Sequence, residues 1–372
     1  MQYARLGDYV NIKTGKLDAN AAVENGQYPF FTCSKEISSI DSYSYDTECV
    51  LVAGNGDLNV KYYNGKFDAY QRTYIIENKE NSIFYVKYIY YFMSRYILEL
   101  KKQTVGGIIK FIKLGNLTEA KIPIYSKEKQ KDIIDFFDNF NSTITNKIHE
   151  LEMLDNLIKS QFIEMFGDPE DNPYNWECPN ITKVVKGKVS NGYFAKRDEY
   201  IQDGNVGILG VSNIVNRIYS NFQNIPRTNA SQTDINKFMV RYGDMLFCRS
   251  SLVEEGIGKA SIVPHDIPSN ILFECHVIRL PLDLDKCVPE YMQILSSTNF
   301  FRKQIISQAK TSTMTTIGQD GILKTNILLP PIELQRKFLT IFEQIDKSKY
   351  ILQKQIDTLQ ELLDSKMEEF FG

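Results

Sequence analysis

The sequence predicts an α+β chain in which two mixed α/β domains are separated by two long coiled-coil helices, the whole being an internal duplication. Three observations carry that prediction. A stretch free of Gly and Pro runs from Lys127 to Phe166, closed by Gly167, and recurs from Ile332 to Phe371, closed by Gly372. Aligned from Gln130 and Gln335 at a constant offset of 205 residues, the copies share eight identities in 38 positions, including Leu157 with Leu362. Chance at residue frequencies of roughly 5 to 7% would give two or three. The segments before and between the copies lose the helical period and turn β-rich.

In chain order, residues 1–125 read as the first mixed domain. Short runs such as Tyr74-Ile75-Ile76 suit strands, Asn64-Gly65 reads as a turn, and Tyr88-Ile89-Tyr90-Tyr91-Phe92 reads as a helix. Residues 126–167 form the central helix, whose apolar residues Phe137, Phe140, Ile144, Ile148, Leu151, Leu154, Ile158, Phe162 and Met165 step by threes and fours along one stripe. Gly and Pro end it in a linker, 168–176. Residues 177–330 form the second mixed domain, with a strand at His276-Val277-Ile278-Arg279-Leu280 and a turn at Tyr242-Gly243-Asp244. Here Tyr291-Met292-Gln293-Ile294-Leu295 answers Tyr88–Phe92, and Leu329-Pro330 answers Ile122-Pro123. Residues 331–372 repeat the stripe at Phe342, Ile345, Ile356, Leu359, Leu363, Met367 and Phe370, with Lys349 and Gln353 polar where the first copy has Ile144 and Ile148. Each helix is a rod of about 60 Å. So narrow a stripe asks for a partner helix, and the other copy is the simplest one. An antiparallel pair with one domain at each end is the preferred arrangement; a parallel pair and two ordinary core helices are the alternatives.

Charge divides the same way. Residues 1–126 carry 15 Lys/Arg against 13 Asp/Glu and residues 177–330 carry 17 against 14, whereas 127–176 carry 5 against 11 and 331–372 carry 6 against 8. The net charge of -3 therefore sits on the helices, which leaves the globular parts free to approach a polyanion. The six cysteines, Cys33, Cys49, Cys178, Cys248, Cys275 and Cys287, contain no Cys-x-x-Cys pair, so reduced, mostly buried thiols are expected in place of a zinc clip or a disulfide framework. No apolar run of about 18 residues is present, and charge occupies Met1 to Val10; a cytoplasmic protein without membrane association is the expectation.

A globular domain, Ile122-Pro123 leading to Gln130, a long helix, Phe166-Gly167-Asp168-Pro169 followed by Trp176, a second domain, Pro330-Pro331 leading to Gln335 and a second long helix resemble, over nearly the whole chain, the specificity (S) subunits of type I restriction-modification systems. The strand and glycine loop from Val50 to Asp57, the hairpin from Lys61 to Tyr74, Gly243 to Ser250 with Gly256-Ile257-Gly258-Lys259, Gly106 to Lys110, and Thr311 to Thr315 also look like the family's. The resemblance implies that the two domains are target recognition domains, each reading one half of a bipartite DNA sequence, and that the helices set the spacing and dock two methyltransferase (M) subunits. It further implies restriction/translocase (R) subunits as partners and no cofactor of the chain's own. S-adenosylmethionine, ATP and Mg would belong to partner subunits.

Direct readout needs Arg or Lys at guanine edges and Asn or Gln at adenine edges, while hydroxyls, Lys and backbone amides hold phosphates. On that chemistry the base or groove candidates are Asn55, Gln71, Arg72, Lys196, Arg197, Asn213 and Arg249. Lys61, Lys110, Ser250, Lys259 and Thr313 are candidates for phosphate, although Glu254-Glu255 beside the second glycine loop would repel it. The helix-packing candidates are Phe137, Ile144, Leu151, Leu154, Ile158, Phe342, Ile345, Ile356, Leu359 and Leu363. Catalytic signatures are weak. Asn172-Pro173-Tyr174 resembles the Asn-Pro-Pro-Tyr of amino-methyltransferases but lacks the second proline and reads as a turn. Asp68, Glu77 and Lys79 have the outline of a metal-dependent nuclease, the enzyme alternative, against the reading of Lys79-Glu80 as a charged turn. His149, His265 and His276 are too scattered in sequence to suggest a metal cluster or a triad. A coiled-coil protein scaffold is the remaining alternative.

Overall fold

The structure, a computed structural model, describes residues 2–106, 110–311 and 314–372. Contacts divide the chain into two units, one formed by Met1–Glu150 with Leu352–Gly372 and the other by Leu151–Ile351. The first contains strands β1 (Tyr3–Arg5), β2 (Val10–Thr14), β3 (Tyr28–Phe31), β4 (Ser38–Ile40), β5 (Tyr45–Ala53), β6 (Val60–Ala69), β7 (Thr73–Asn78) and β8 (Lys121–Pro123), with helices α1 (Val86–Gln103) and α2 (Leu114–Thr118) and the start of α3 (Lys127–Phe166). Six strands form one sheet in the order β2-β7-β5-β6-β3-β4, and β1 pairs with β8 beside it. Cys49 to Ala53 of β5 are buried at every position, which fits a central strand paired on both edges, where an apolar run replaces alternation. α1 packs on β5 and β6. Asn64-Gly65 is a correction to the turn expected there: both residues lie inside the ten-residue β6, paired with Glu48 and Thr47, and Gly65 takes φ +136° within the strand. The full ladder to β5 outweighs the local turn preference.

The second unit contains β9 (Ser190–Asn191), β10 (Val206–Leu209), β11 (Arg227–Thr228), β12 (Asp244–Cys248), β13 (Ser250–Ser251), β14 (Ala260–Ile262), β15 (Ile271–Phe273), β16 (Val277–Pro281), β17 (Lys310–Thr311) and β18 (Thr315–Thr316). Its helices are α4 (Gln232–Phe238), α5 (Pro289–Ser297), α6 (Asn299–Gln308), α7 (Gln319–Leu323) and part of α8 (Ile332–Phe371). Its sheets are smaller: β14-β12-β16-β9, β11-β10-β15 and β13-β18-β17.

Despite the different sheets, both units are fastened by the same device. Gln130 is fully buried in the first turns of α3; it accepts from Tyr85 N at 3.1 Å and donates to Ile83 O and Tyr125 O. Gln335 does the same in α8, accepting from Val288 N at 2.9 Å and donating to Lys286 O and Pro330 O. Tyr85 and Val288 are the N-caps of α1 and α5, so each glutamine saturates an orphan amide at the start of the domain helix. Tyr88 and Tyr291 repeat the pattern, donating to Pro123 O and Leu328 O at 2.9 Å each. α2 and α7 also fall at the 205-residue offset.

Within each unit the two long helices run antiparallel. In the first, Phe137 packs against Phe370 and Phe371, and Lys147 donates to Gln355 at 2.7 Å. In the second, Lys349 pairs with Asp155, while Phe162 and Phe166 pack against Phe338. Phe137, Ile144, Ile158, Phe342, Ile345, Ile356 and Leu363 are buried, and Leu151, Leu154 and Leu359 are half-buried. Ile148 departs from the expected stripe, standing 46% exposed, while the half-buried Lys147 and the buried Leu352 take seam positions. The contacting residues follow a seven-residue step (Phe137, Ile144, Leu151, Ile158), which assigns the seam to Lys147 and not to its neighbour.

The segment expected as a linker is tightly built. Gly167 ends α3 at φ +78°, where a Cβ would lie 2.4 Å from the Pro173 ring. The Asn172 amide accepts from Trp176 N and donates to Trp176 O, and the indole donates to Phe166 O at 2.9 Å.

Candidate nucleic-acid interface

In the first unit the β5–β6 connection, Gly54 to Asn59, is held from two sides. Gly54 N donates to Arg72 O at 2.8 Å, Ile112 N donates to Gly54 O at 2.9 Å, and Gly56 N donates to Lys110 O at 3.0 Å. Gly54 permits this approach because a Cβ there would sit 2.3 Å from Arg72 O. The glycine loop thereby brings Asn55, Arg72 and Lys110, which lie far apart in sequence, into one cluster. Arg72 and Lys110 are exposed and Asn55 is half-buried. Gln71 is anchored close by: its backbone N donates to Leu17 O and its side chain to Asp18 at 2.7 Å. Lys61 reaches Ser34 O at 2.6 Å and the Asn59 side chain, and burial holds its ammonium below the usual lysine range. That bonding makes Lys61 a brace for the loop, and a phosphate contact would require it to let go.

Asp57, which closes the glycine loop and was not among the contact candidates, sits between Lys35 at 3.2 Å and Lys101 at 3.7 Å, and its bond to Lys35 holds the carboxyl below the ordinary range. It adds an acceptor able to take the cytosine amino group to a cluster of donors. Asn59, which ties the loop to Cys33 O at 2.8 Å, was equally unmarked.

The second unit assembles its cluster from other elements. Arg249 N donates to His276 O at 2.9 Å, the Arg249 guanidinium donates to Cys275 O at 3.1 Å, and Ser250 Oγ lies 3.2 Å from His276 Nδ1. Ser250 and Ser251 pair with Thr316 and Thr315, which pair in turn with Lys310 and Thr311. The result is a small sheet of hydroxyls and one lysine next to Arg249. Thr313 lies outside the described residues. Lys196 and Arg197 are exposed on the loop that Gly192 and Tyr193 join to Val277 O and Phe273 O. Two expectations shift here. Asn213 is buried, with Oδ1 accepting from Gly210 N and Nδ2 donating to Asn221 O and Gln223 O; it holds its loop together and has no amide group left for a base edge. Lys259 turns to Asn216 at 2.6 Å and lines a cavity beside α3 in place of joining Arg249. His276, Lys310 and Thr316 are the members that sequence reading missed.

The nuclease outline does not converge. Asp68 is buried and accepts from Ser44 Oγ and Ala69 N, Glu77 pairs with Lys13 at 2.9 Å, and Lys79 donates to Gly7 O and Asp8 O. No group of three or more His, Cys, Asp or Glu side chains among the described residues is placed to hold a metal ion. Among the described residues no helix is long and apolar enough to cross a membrane. Cys49, Cys248 and Cys287 are buried free thiols, and burial pushes Cys49 up to about 12.

Residues 1–153 match the family of type I restriction modification DNA specificity domains. The chain is 37% identical over 154 residues to the type I restriction enzyme EcoDI specificity subunit of Escherichia coli, a match covering 41% of this chain and about a third of that relative (34%). It is 21% identical over 387 residues to the type I restriction enzyme MjaVIII specificity subunit of Methanocaldococcus jannaschii, covering 96% of this chain and 89% of the relative. The crystal structure of a type I restriction-modification S subunit from M. genitalium has the same fold, with a TM-score of 0.57 at 15% identity, covering 100% of this chain and 96% of that one.

Proposed function

We propose that this chain is a type I restriction-modification specificity subunit, a reading supported by the match of residues 1–153 to that domain family, that it reads a split double-stranded DNA target, one half through each unit, and that it catalyses no reaction itself. The observation that carries this reading is the pair of loop clusters. Two units fastened by the same glutamine and tyrosine bonds carry unlike donor sets, Asn55, Arg72 and Lys110 in one and Arg249, Ser250 and Lys310 in the other. A shared frame with divergent loops suits two half-sites of different sequence. The test is genome-wide adenine methylation in cells that express the chain with its methyltransferase. A bipartite motif is expected, and a continuous motif would overturn the split reading. Binding that weakens steeply with salt separates DNA recognition from a protein scaffold.

The helices would set the gap between half-sites and dock the M subunits. Leu157 and Leu362 occupy equivalent repeat positions and are 42% and 43% exposed, a matched pair of apolar sites suited to two copies of one partner. R subunits would join through that complex. S-adenosylmethionine, ATP and magnesium would lie on partner subunits, and the assembly would work in the cytoplasm.

A further inference from the structure

In the second unit a cavity of about 400 Å³ opens where α3, α5 and α6 meet the loop around Asn216. Lys159, Arg217, Lys259 and Arg302 line it with Gln293 and one carboxylate, Asp155, which is already paired with Lys349. Arg302 donates through Nη2 to Glu255 O at 3.1 Å, but its buried Nη1 has no hydrogen-bond partner among the described residues. Lys259 bonds Asn216 at 2.6 Å and Arg217 donates to Val215 O and Ser212 O at 3.4 Å each, so these two charges meet neutral acceptors, Asp155 is engaged by Lys349, and the Arg302 donor stands unpaired, an arrangement that an anion would relieve.

The duplication supplies an internal control. The first unit has the equivalent cavity, of about 520 Å³, lined by Tyr90, Tyr91, Arg95, Leu98, Asp364 and Glu368. Under the helix repeat Asp364 answers Lys159, and by the register of Tyr88 with Tyr291, Tyr90 answers Gln293. Arg95 there is paired with Glu368. The same scaffold thus carries an aromatic and acidic lining in one unit and a basic lining in the other. The basic lining is consequently a property of this cavity and not of the frame.

We propose that the cavity of the second unit binds a phosphate group, supplied by a small phosphorylated ligand or by a nucleic-acid backbone. Its volume lies in the range of small-ligand sites, ~300–1,000 Å³. The site uses none of the Arg249 loop cluster, so it stands apart from base reading. The test follows thermal unfolding of the full chain during titration with inorganic phosphate and then pyrophosphate, with ionic strength held constant by chloride. A saturable rise is expected. Lys159→Asp, which installs the residue of the other unit at an exposed helical position, should weaken the response about tenfold or more, as loss of a charge-assisted contact does. Arg217→Gln should weaken it too, and Asp364→Lys should not. An unsaturable rise, or equal responses from wild type and Lys159→Asp, would overturn the proposal. Displacement of phosphate by a short non-target duplex would assign the group to DNA, and no displacement would assign it to a small ligand. Absence of a methylation motif in cells would sink the DNA reading while leaving this titration unaffected.

Discussion

Seven residues inserted into α3 after Glu150 and seven into α8 after Ile351 lengthen both helices where one unit gives way to the other. Seven is two turns, so the heptad phase that places Ile144, Leu151 and Ile158 in the seam is preserved. Lengthening both helices together also lets Lys147 keep Gln355 and Asp155 keep Lys349. At 1.5 Å per residue the insertion adds about 10.5 Å, which corresponds to about three base pairs at 3.4 Å each. The expected outcome is a methylation motif with unchanged half-sites and a gap wider by about three base pairs, read by sequencing modified adenines in cells that carry the methyltransferase. Inserting seven residues into α3 alone forces one of the two polar pairs apart, and the melting temperature should fall. Active methylation with the original gap in the doubly lengthened protein would refute the spacer mechanism, because the helices would then not set the distance.

Gln130→Leu removes three part-buried hydrogen bonds made by a buried side chain and leaves Tyr85 N without that partner, so it should destabilise the first unit by about 3 kcal/mol; faster amide exchange at the start of α1, with the second unit unchanged, is the readout. Arg249→Ala should relax base preference in one half-site only and cost on the order of 10- to 100-fold in specific binding, measured against duplexes varied in each half. Equal relaxation in both halves would exclude the division of labour. Burial pushes Asp244 up to about 6 against the pull of Arg279, so between pH 4 and 6 the folded chain keeps a proton that the unfolded chain has shed. The stability from this group therefore falls as pH rises through that window and is level above it. Asp244→Asn should gain stability relative to wild type by up to ~3 kcal/mol from pH 4 to pH 7 in urea unfolding of the second unit.

The sequence made the long helices legible because Gly and Pro mark their ends and one apolar period persists through each. It made the domain helices legible because Tyr88 and Tyr291 open matching patterns. Ile148 was placed in the stripe, and Lys147 and Leu352 were left out of it, because a 3.6-residue helix and a 3.5-residue seam drift apart over forty residues, and sequence spacing alone does not show which step the partner enforces. The first interface cluster was partly legible, since Gly54, Gly56 and the Gln71-Arg72 hairpin have local signatures. The second was not. Ser250 meets Thr316 and Arg249 meets Cys275 through pairings 66 and 26 residues apart, set by tertiary packing and not by local propensity. Asn213 shows the complementary failure: an asparagine suited to reading adenine is equally suited to saturating a loop backbone, and only burial tells the two uses apart.

Identity between the repeats separates frame from reader. Gln130 and Gln335, and Phe166 and Phe371, are identical and buried, so packing accounts for them. Leu157 and Leu362 are identical yet each more than 40% exposed, and packing within the chain does not account for them. The proposed docking of two copies of one subunit would account for them, because each copy would meet the same side chain. A single Leu157→Arg substitution should therefore cost one copy of the methyltransferase subunit, and Leu362→Arg should cost one copy likewise. Light scattering of the purified complex would show a fall from two copies to one, with the melting temperature of the specificity chain little changed because both side chains already face solvent. Retention of two copies in the Leu157→Arg, Leu362→Arg double variant would remove these leucines from the docking surface and leave their identity as an unaltered inheritance of the duplication.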